Sequence, residues 1–193
     1  MDLGLKGKSV LITGGNRGIG FGIAMAFAEE GANVVICGRD KVSLAEAETR
    51  LLATGVKAKA ISVDLFTAEG CKTAVQTAVD AFGGLDILVN NAGDIPAGSI
   101  DKMDDAVWRH AWELKVFGYV GLTRSAFVAM KKRGSGVILN VIGMAGERPN
   151  FDYICGTTAN AGLAAFSKAM GQGSTAHGVR VMAVHPPATR TER

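Results

Sequence analysis

Residues 8 to 20, KSVLITGGNRGIG, constrain the fold of this chain more than any other stretch. Val10, Leu11 and Ile12 form a short apolar, mostly β-branched run, the pattern of a strand buried on both faces of a parallel sheet. Gly14, Gly18 and Gly20 follow. Next comes FGIAMAFAEEGA, with apolar residues at helical spacing and Gly31 near its end. Gly14 lets the chain turn tightly, Gly18 lets backbone approach a pyrophosphate, and Gly20 lets the helix pack close to the strand. The helix N-terminus, with free N–H groups and partial positive charge, then faces phosphate. Strand, turn and helix predict the phosphate-binding unit of a dinucleotide fold, and a second apolar strand at 33–37, one helix later, supports it. A βα turn that binds nothing is the other reading of the same glycines.

The glycine spacing differs from the common G-x-G-x-x-G fingerprint. Thr13-Gly14-x-x-x-Gly18-x-Gly20 resembles the T-G-x-x-x-G-x-G motif of the short-chain dehydrogenase/reductase superfamily. Further along, the apolar strand at 85–89 runs into Asn90-Asn91-Ala92-Gly93, and LDILVNNAG is similar to that superfamily's N-N-A-G motif. The resemblance implies that these Asn side chains and small residues hold the central sheet and wall a nicotinamide cofactor.

Between the motifs the chain alternates. Helices are expected at 41–54, 67–82, 103–132 and 151–175, and strands at 59–63, 137–142 and 179–185. Alternating βα units with apolar strands predict an α/β fold: one Rossmann-type, doubly wound domain over residues 1–193, with six parallel strands ordered 3-2-1-4-5-6. Superfamily members continue from a P-G-x-x-x-T stretch into a substrate-covering segment and a seventh strand. Here Pro186-Pro187 and Thr191 are the near match, so the domain is expected to be incomplete at its C-terminal end.

Composition excludes several other classes. Hydrophobic residues are 48% of the chain, enough for a full core, and a net charge of +3 without a basic, aromatic stripe argues against nucleic acid. Cys37, Cys71 and Cys155 are scattered, lack metal-type spacing and suit a reducing cytoplasm. His110, His177 and His185 likewise suggest no metal site. The N-terminus is too polar for a signal peptide, and no apolar run approaches membrane-spanning length.

After the second strand, where an adenosine ribose should lie, the chain offers Gly38-Arg39-Asp40, and Arg17 sits in the glycine loop. Two guanidinium groups suit a 2′-phosphate, so NADP(H) is expected over NAD(H); solvated surface arginines are the alternative. The resemblance assigns the cofactor wall to Gly14, Asn16, Arg17, Gly18, Ile19, Gly20, Arg39, Asp64, Leu65, Asn91, Ala92, Gly93, Asn160 and Thr191. Asp64 would contact the adenine amino group, or else cap the helix that starts near Thr67.

The superfamily's chemistry rests on an Asn, a Ser, a Tyr and a Lys. The Tyr acts as acid or base, the Lys four residues later lowers its pKa and holds the ribose, the Ser thirteen residues upstream orients the carbonyl, and the Asn completes a proton relay. Placed by flanking sequence, these positions fall on Lys115, Gly143, Gly156 and Asn160, so all four usual side chains are absent. Lys and Asn have exchanged places, and Tyr153 lies three residues before the vacated Tyr position. Two readings stand open. A rebuilt site would use Lys115 as the cation and Tyr153 as the proton donor, with Asp94 a further candidate, acting on a small carbonyl or secondary alcohol. A pseudoenzyme would bind nucleotide without chemistry. The resemblance also implies a homodimer or homotetramer through the two long helices, with Gly118, Gly121, Ala161, Ala164 and Ala165 allowing close approach.

Overall fold

In the computed structural model, residues 2–187, Thr189 and Thr191 are described. Six strands, β1 (Ser9–Thr13), β2 (Asn33–Gly38), β3 (Ala58–Ser62), β4 (Ile87–Asn90), β5 (Gly136–Val141) and β6 (Val179–Val184), form one sheet in the order β3-β2-β1-β4-β5-β6. Every pairing is parallel; Leu11 of β1 sits between Val35 of β2 and Leu88 of β4. The helices are α1 (Gly18–Glu29), α2 (Lys41–Leu52), α3 (Ala68–Phe82), α4 (Asp105–Trp112), α5 (Gly118–Arg133) and α6 (Ile154–Ser174). None is long and apolar enough to cross a membrane.

β1 is the axis because both of its faces are buried. Val10 and Ile12 join Val34, Ile36 and Val89 in one core, with Ala24, Ala28, Leu44 and Leu51 from α1 and α2. Leu11 joins Val35, Leu88 and Ile138 in the other, beneath Ala74, Ala78, Leu122 and Met130 of α3 and α5. Period-2 alternation along a strand buried twice over gives the continuous apolar run seen in the sequence.

Two elements differ from expectation. The stretch at 103–132 is not one helix: α4 and α5 are separated by a π turn, Glu113–Phe117. Its extra residue brings consecutive side chains, Leu114 and Lys115, into the interior. α6 starts at Ile154, not 151, because residues 151–153 form a turn tied to another loop. Gly98 N donates to Asp152 O at 2.7 Å, and Tyr153 bridges Gly98. Gly118 and Gly121 also face inward. A Cβ on Gly118 would lie 3.3 Å from the Leu65 carbonyl oxygen, and one on Gly121 3.2 Å from Cys71 Sγ. Their smallness serves packing within the chain, whereas Ala161 and Ala165 are exposed.

Candidate active site

The carboxyl ends of the strands open into a cleft of about 490 Å³. Its first wall is the glycine turn. Gly14 (φ +63°) and Gly18 (φ +57°) hold the left-handed conformation that glycine tolerates best. A Cβ on Gly20 would run into the Gly14 carbonyl oxygen and stand 2.5 Å from Asn91 Nδ2. The first turn of α1 has no side-chain cap and no acidic residue, so its N–H groups remain available to an anion. This cradle of glycine backbone and free helix N–H groups fits a dinucleotide diphosphate.

The two sequence motifs meet here. Asn91 Nδ2 donates to the carbonyl oxygens of Thr13 (2.9 Å) and Gly14 (3.4 Å), while Thr13 Oγ1 accepts from the backbone N–H groups of Asn91 and Ala92. Asn90 faces the other way, donating to Thr123 Oγ1 and Asn140 Oδ1 inside the core. Asn91, Ala92 and Gly93 line the cleft together with Gly14, Asn16, Arg17, Gly18, Ile19 and Gly20.

Arg39 and Leu65 lie at the β2–β3 end of the cleft, with Arg39 Cζ 5.4 Å from the centre of the Phe66 ring. Phe66 stacks in turn on His110. A carboxylate does line this end: Asp40. It caps α2, accepting from Val42 N, and its hydrogen bonds to Ser43 and Val42 hold it below the usual carboxylate range. Gly38 offers no carboxylate at the end of β2, and a Cβ there would be 2.9 Å from Asn16 Oδ1, so the Asn16 side chain would have to shift to admit one. Asp64 is exposed and does not line the cleft; its Oδ1 accepts from Phe66 N, and Thr67 caps α3. Thr191 lines the cleft beside Gly18.

At the far end the cleft wall includes Asp94, Lys115, Val141, Gly143 and Tyr153. Lys115 is buried. Its Nζ donates to Tyr119 Oη at 2.8 Å and to Val141 O at 2.9 Å, and Tyr119 Oη itself donates to Val141 O at 2.8 Å. Burial pushes the Lys115 amine down to about 7, and it pushes the Tyr119 phenol well up. Sequence reasoning missed Tyr119, although its spacing of four residues from Lys115 was the available signal.

Tyr153 and Gly156 fit together. A Cβ on Gly156 would run into Cε1 and Cζ of the Tyr153 ring and stand 2.6 Å from its hydroxyl oxygen. Gly143 has φ +123°, outside the range of ordinary L residues, and a Cβ there would be 3.1 Å from Asn160 Nδ2. Asn160 does not line the cleft. It is buried behind Gly143, and among the described residues its Oδ1 has no hydrogen-bond partner. Lys115 and Tyr153 therefore share the cleft wall, whereas Asn160 is set back from it. Among the described residues no cluster of His, Cys, Asp or Glu could hold a metal ion.

Residues 8–193 match the family described as short chain dehydrogenase. The chain belongs to this family. It is 35% identical over 182 residues to ketoacyl reductase HetN of Nostoc, a match covering 94% of this chain and 63% of that protein. Among solved structures, L-sorbose reductase from Gluconobacter frateurii, complexed with NADPH and L-sorbose, gives a TM-score of 0.95 at 35% identity and covers 100% of this chain and 73% of the other. A short chain dehydrogenase from Burkholderia cenocepacia in complex with NADP gives 0.92 at 31%, covering 97% and 77%. The short chain dehydrogenase fold thus accounts for every strand and helix of this chain, which spans less than two thirds of the ketoacyl reductase.

Proposed function

We propose that this chain is the dinucleotide-binding domain of an NADP(H)-dependent oxidoreductase that interconverts a carbonyl and a secondary alcohol. Its acid–base groups are rebuilt around Lys115 and Tyr153, and the family's usual Asn, Ser, Tyr and Lys are replaced. The relatives named as reductases, and the two solved neighbours with NADPH or NADP, support the activity and the cofactor.

One observation carries the rebuilt site: the Tyr153 phenol fills the space of a side chain on Gly156, the position aligned with the family's Tyr. A phenol returned to this region by another residue preserves the group that the chemistry needs.

The cofactor, when bound, supplies or accepts a hydride. The chain's own tasks are binding and proton control. The glycine turn and the N-terminus of α1 hold the diphosphate, and Arg17 and Arg39 neutralise a 2′-phosphate. Tyr153 Oη holds the proton that the substrate oxygen takes up on reduction. The Lys115 amine, about half protonated near pH 7, stabilises negative charge at that oxygen through N–H donation. Tyr119 and the Val141 carbonyl orient that amine.

Self-association into a dimer or tetramer belongs to the same reading. Phe117 and Val128, large apolar residues exposed at the π turn and on α5, support it. Sedimentation showing only monomer at micromolar concentration would count against this part.

The activity is tested by titrating NADPH and NADH into the protein, then screening ketones, aldehydes and secondary alcohols by NADPH absorbance. Turnover with preferential NADPH binding is the expected result. Binding without turnover of any substrate would favour the nucleotide-binding pseudoenzyme, and absence of binding would remove both.

A further inference from the structure

Lys115 is unusual among lysines because its head group is inside the protein, yet on the wall of an open cleft. Among the described residues it makes no ion pair. Among these residues its hydrogen bonds go only to the Tyr119 phenol and the Val141 carbonyl, both neutral acceptors. A neutral amine has two N–H bonds and one lone pair. Those two acceptors use both N–H bonds, and the lone pair is what remains. Gly93 leaves the room for this arrangement: a Cβ there would be 2.8 Å from Lys115 Cδ and 3.5 Å from Nζ.

We infer that Lys115 is a covalent capture site for small aldehydes, condensing with them to an imine. The nitrogen lone pair forms the C–N bond, and the carbonyl π pair goes to oxygen. Both N–H protons of the nitrogen pass in turn to that oxygen, which leaves as water as the C–O bond breaks and the nitrogen pair forms the C=N bond. No oxidant or reductant is consumed. This chemistry goes beyond hydride transfer and does not depend on it. Desolvated lysines in weakly polar pockets are the amines that form such adducts. Burial that brings the amine to about 7 makes its neutral fraction at pH 7.5 roughly 10²–10³ times that of an exposed lysine.

The test is reductive trapping of the chain with glycolaldehyde and sodium cyanoborohydride at pH 7.5, followed by peptide mapping by mass spectrometry. Lys115 should be alkylated at least about 10 times faster than exposed lysines such as Lys41 and Lys131. That preference should vanish when the same reaction is run in guanidinium chloride. Labelling of Lys115 no faster than the exposed lysines in the folded chain would overturn the inference. So would a preference that survives unfolding, because it would then belong to the local sequence and not to the cleft.

Discussion

The ring of Tyr153 occupies the space into which a side chain on Gly156 would project, its hydroxyl oxygen 2.6 Å from that position. The two residues are one turn apart, with Tyr153 preceding α6 and Gly156 inside its first turn. The absence of a Cβ at 156 is what lets the phenol lie against the helix on the cleft wall. Gly156→Ala should therefore eject the ring. It should lower turnover as much as Tyr153→Phe does, by about 10²-fold or more, and Tyr153→Phe should leave NADPH affinity nearly unchanged. Steady-state kinetics beside a nucleotide titration separates the two effects.

Arg39 faces the cleft beside Phe66, and Gly38 before it carries no acidic side chain. Arg39→Ala should weaken NADPH binding by about 1.5–3 kcal/mol, roughly 10- to 100-fold, because a charge-assisted phosphate contact is lost. NADH binding should not change. Equal losses for both nucleotides would exclude a 2′-phosphate contact.

Gly143 cannot take a Ser side chain without strain. At φ +123° a side chain is disfavoured whatever the space, and Asn160 Nδ2 is 3.1 Å from the Cβ position. Gly143→Ser should cost about 1–3 kcal/mol in denaturant unfolding and should not raise activity.

The buried amine makes stability depend on pH. Lys115 titrates near 7 in the folded chain and near 10.4 when unfolded, so between these values the unfolded state binds more protons. Stability should rise with pH across this window, at up to about 1.4 kcal/mol per pH unit from this group. The comparison is the wild-type chain against Lys115→Met, unfolded at pH 7 and pH 8.5. The gain on going to the higher pH should be smaller in the variant. Measurement should stay below pH 9, because Cys37, pushed up to about 12 by burial, contributes the opposite slope above its ordinary value.

Lys115→Met should also reduce turnover by about 10²-fold if the amine donates to the substrate oxygen. Tyr119→Phe, which removes one of its two acceptors, should shift the pH profile of kcat/KM while leaving NADPH affinity unchanged. An unshifted profile would mean that Tyr119 does not position the amine.

The nucleotide end of the cleft was legible in the sequence because its determinants are local. A glycine that must adopt positive φ, an apolar run buried on both faces and a helix opening on free N–H groups are properties of consecutive residues, as Gly14, Gly18 and Val10–Ile12 illustrate. The end of the cleft that holds Lys115 and Tyr153 was decided by tertiary structure. Lys115 enters the cleft because a π turn adds a residue to the helix, and hydrophobic spacing does not report that insertion. Tyr119 is a local partner of Lys115, but the Val141 carbonyl that accepts from both is brought beside them by β5. Asn160, one turn beyond Gly156 on the same helix, packs against Gly143, two residues past the end of β5, and it is Gly143 that lines the cleft. Gly118 and Gly121 look like interface residues in the sequence, but smallness does not say which neighbour comes close. In the fold that neighbour is the chain itself, at Leu65 and Cys71. Periodicity and backbone preference act over a few residues. Which side chains then share one wall depends on contacts between segments far apart in the chain, fixed by close packing of the whole core.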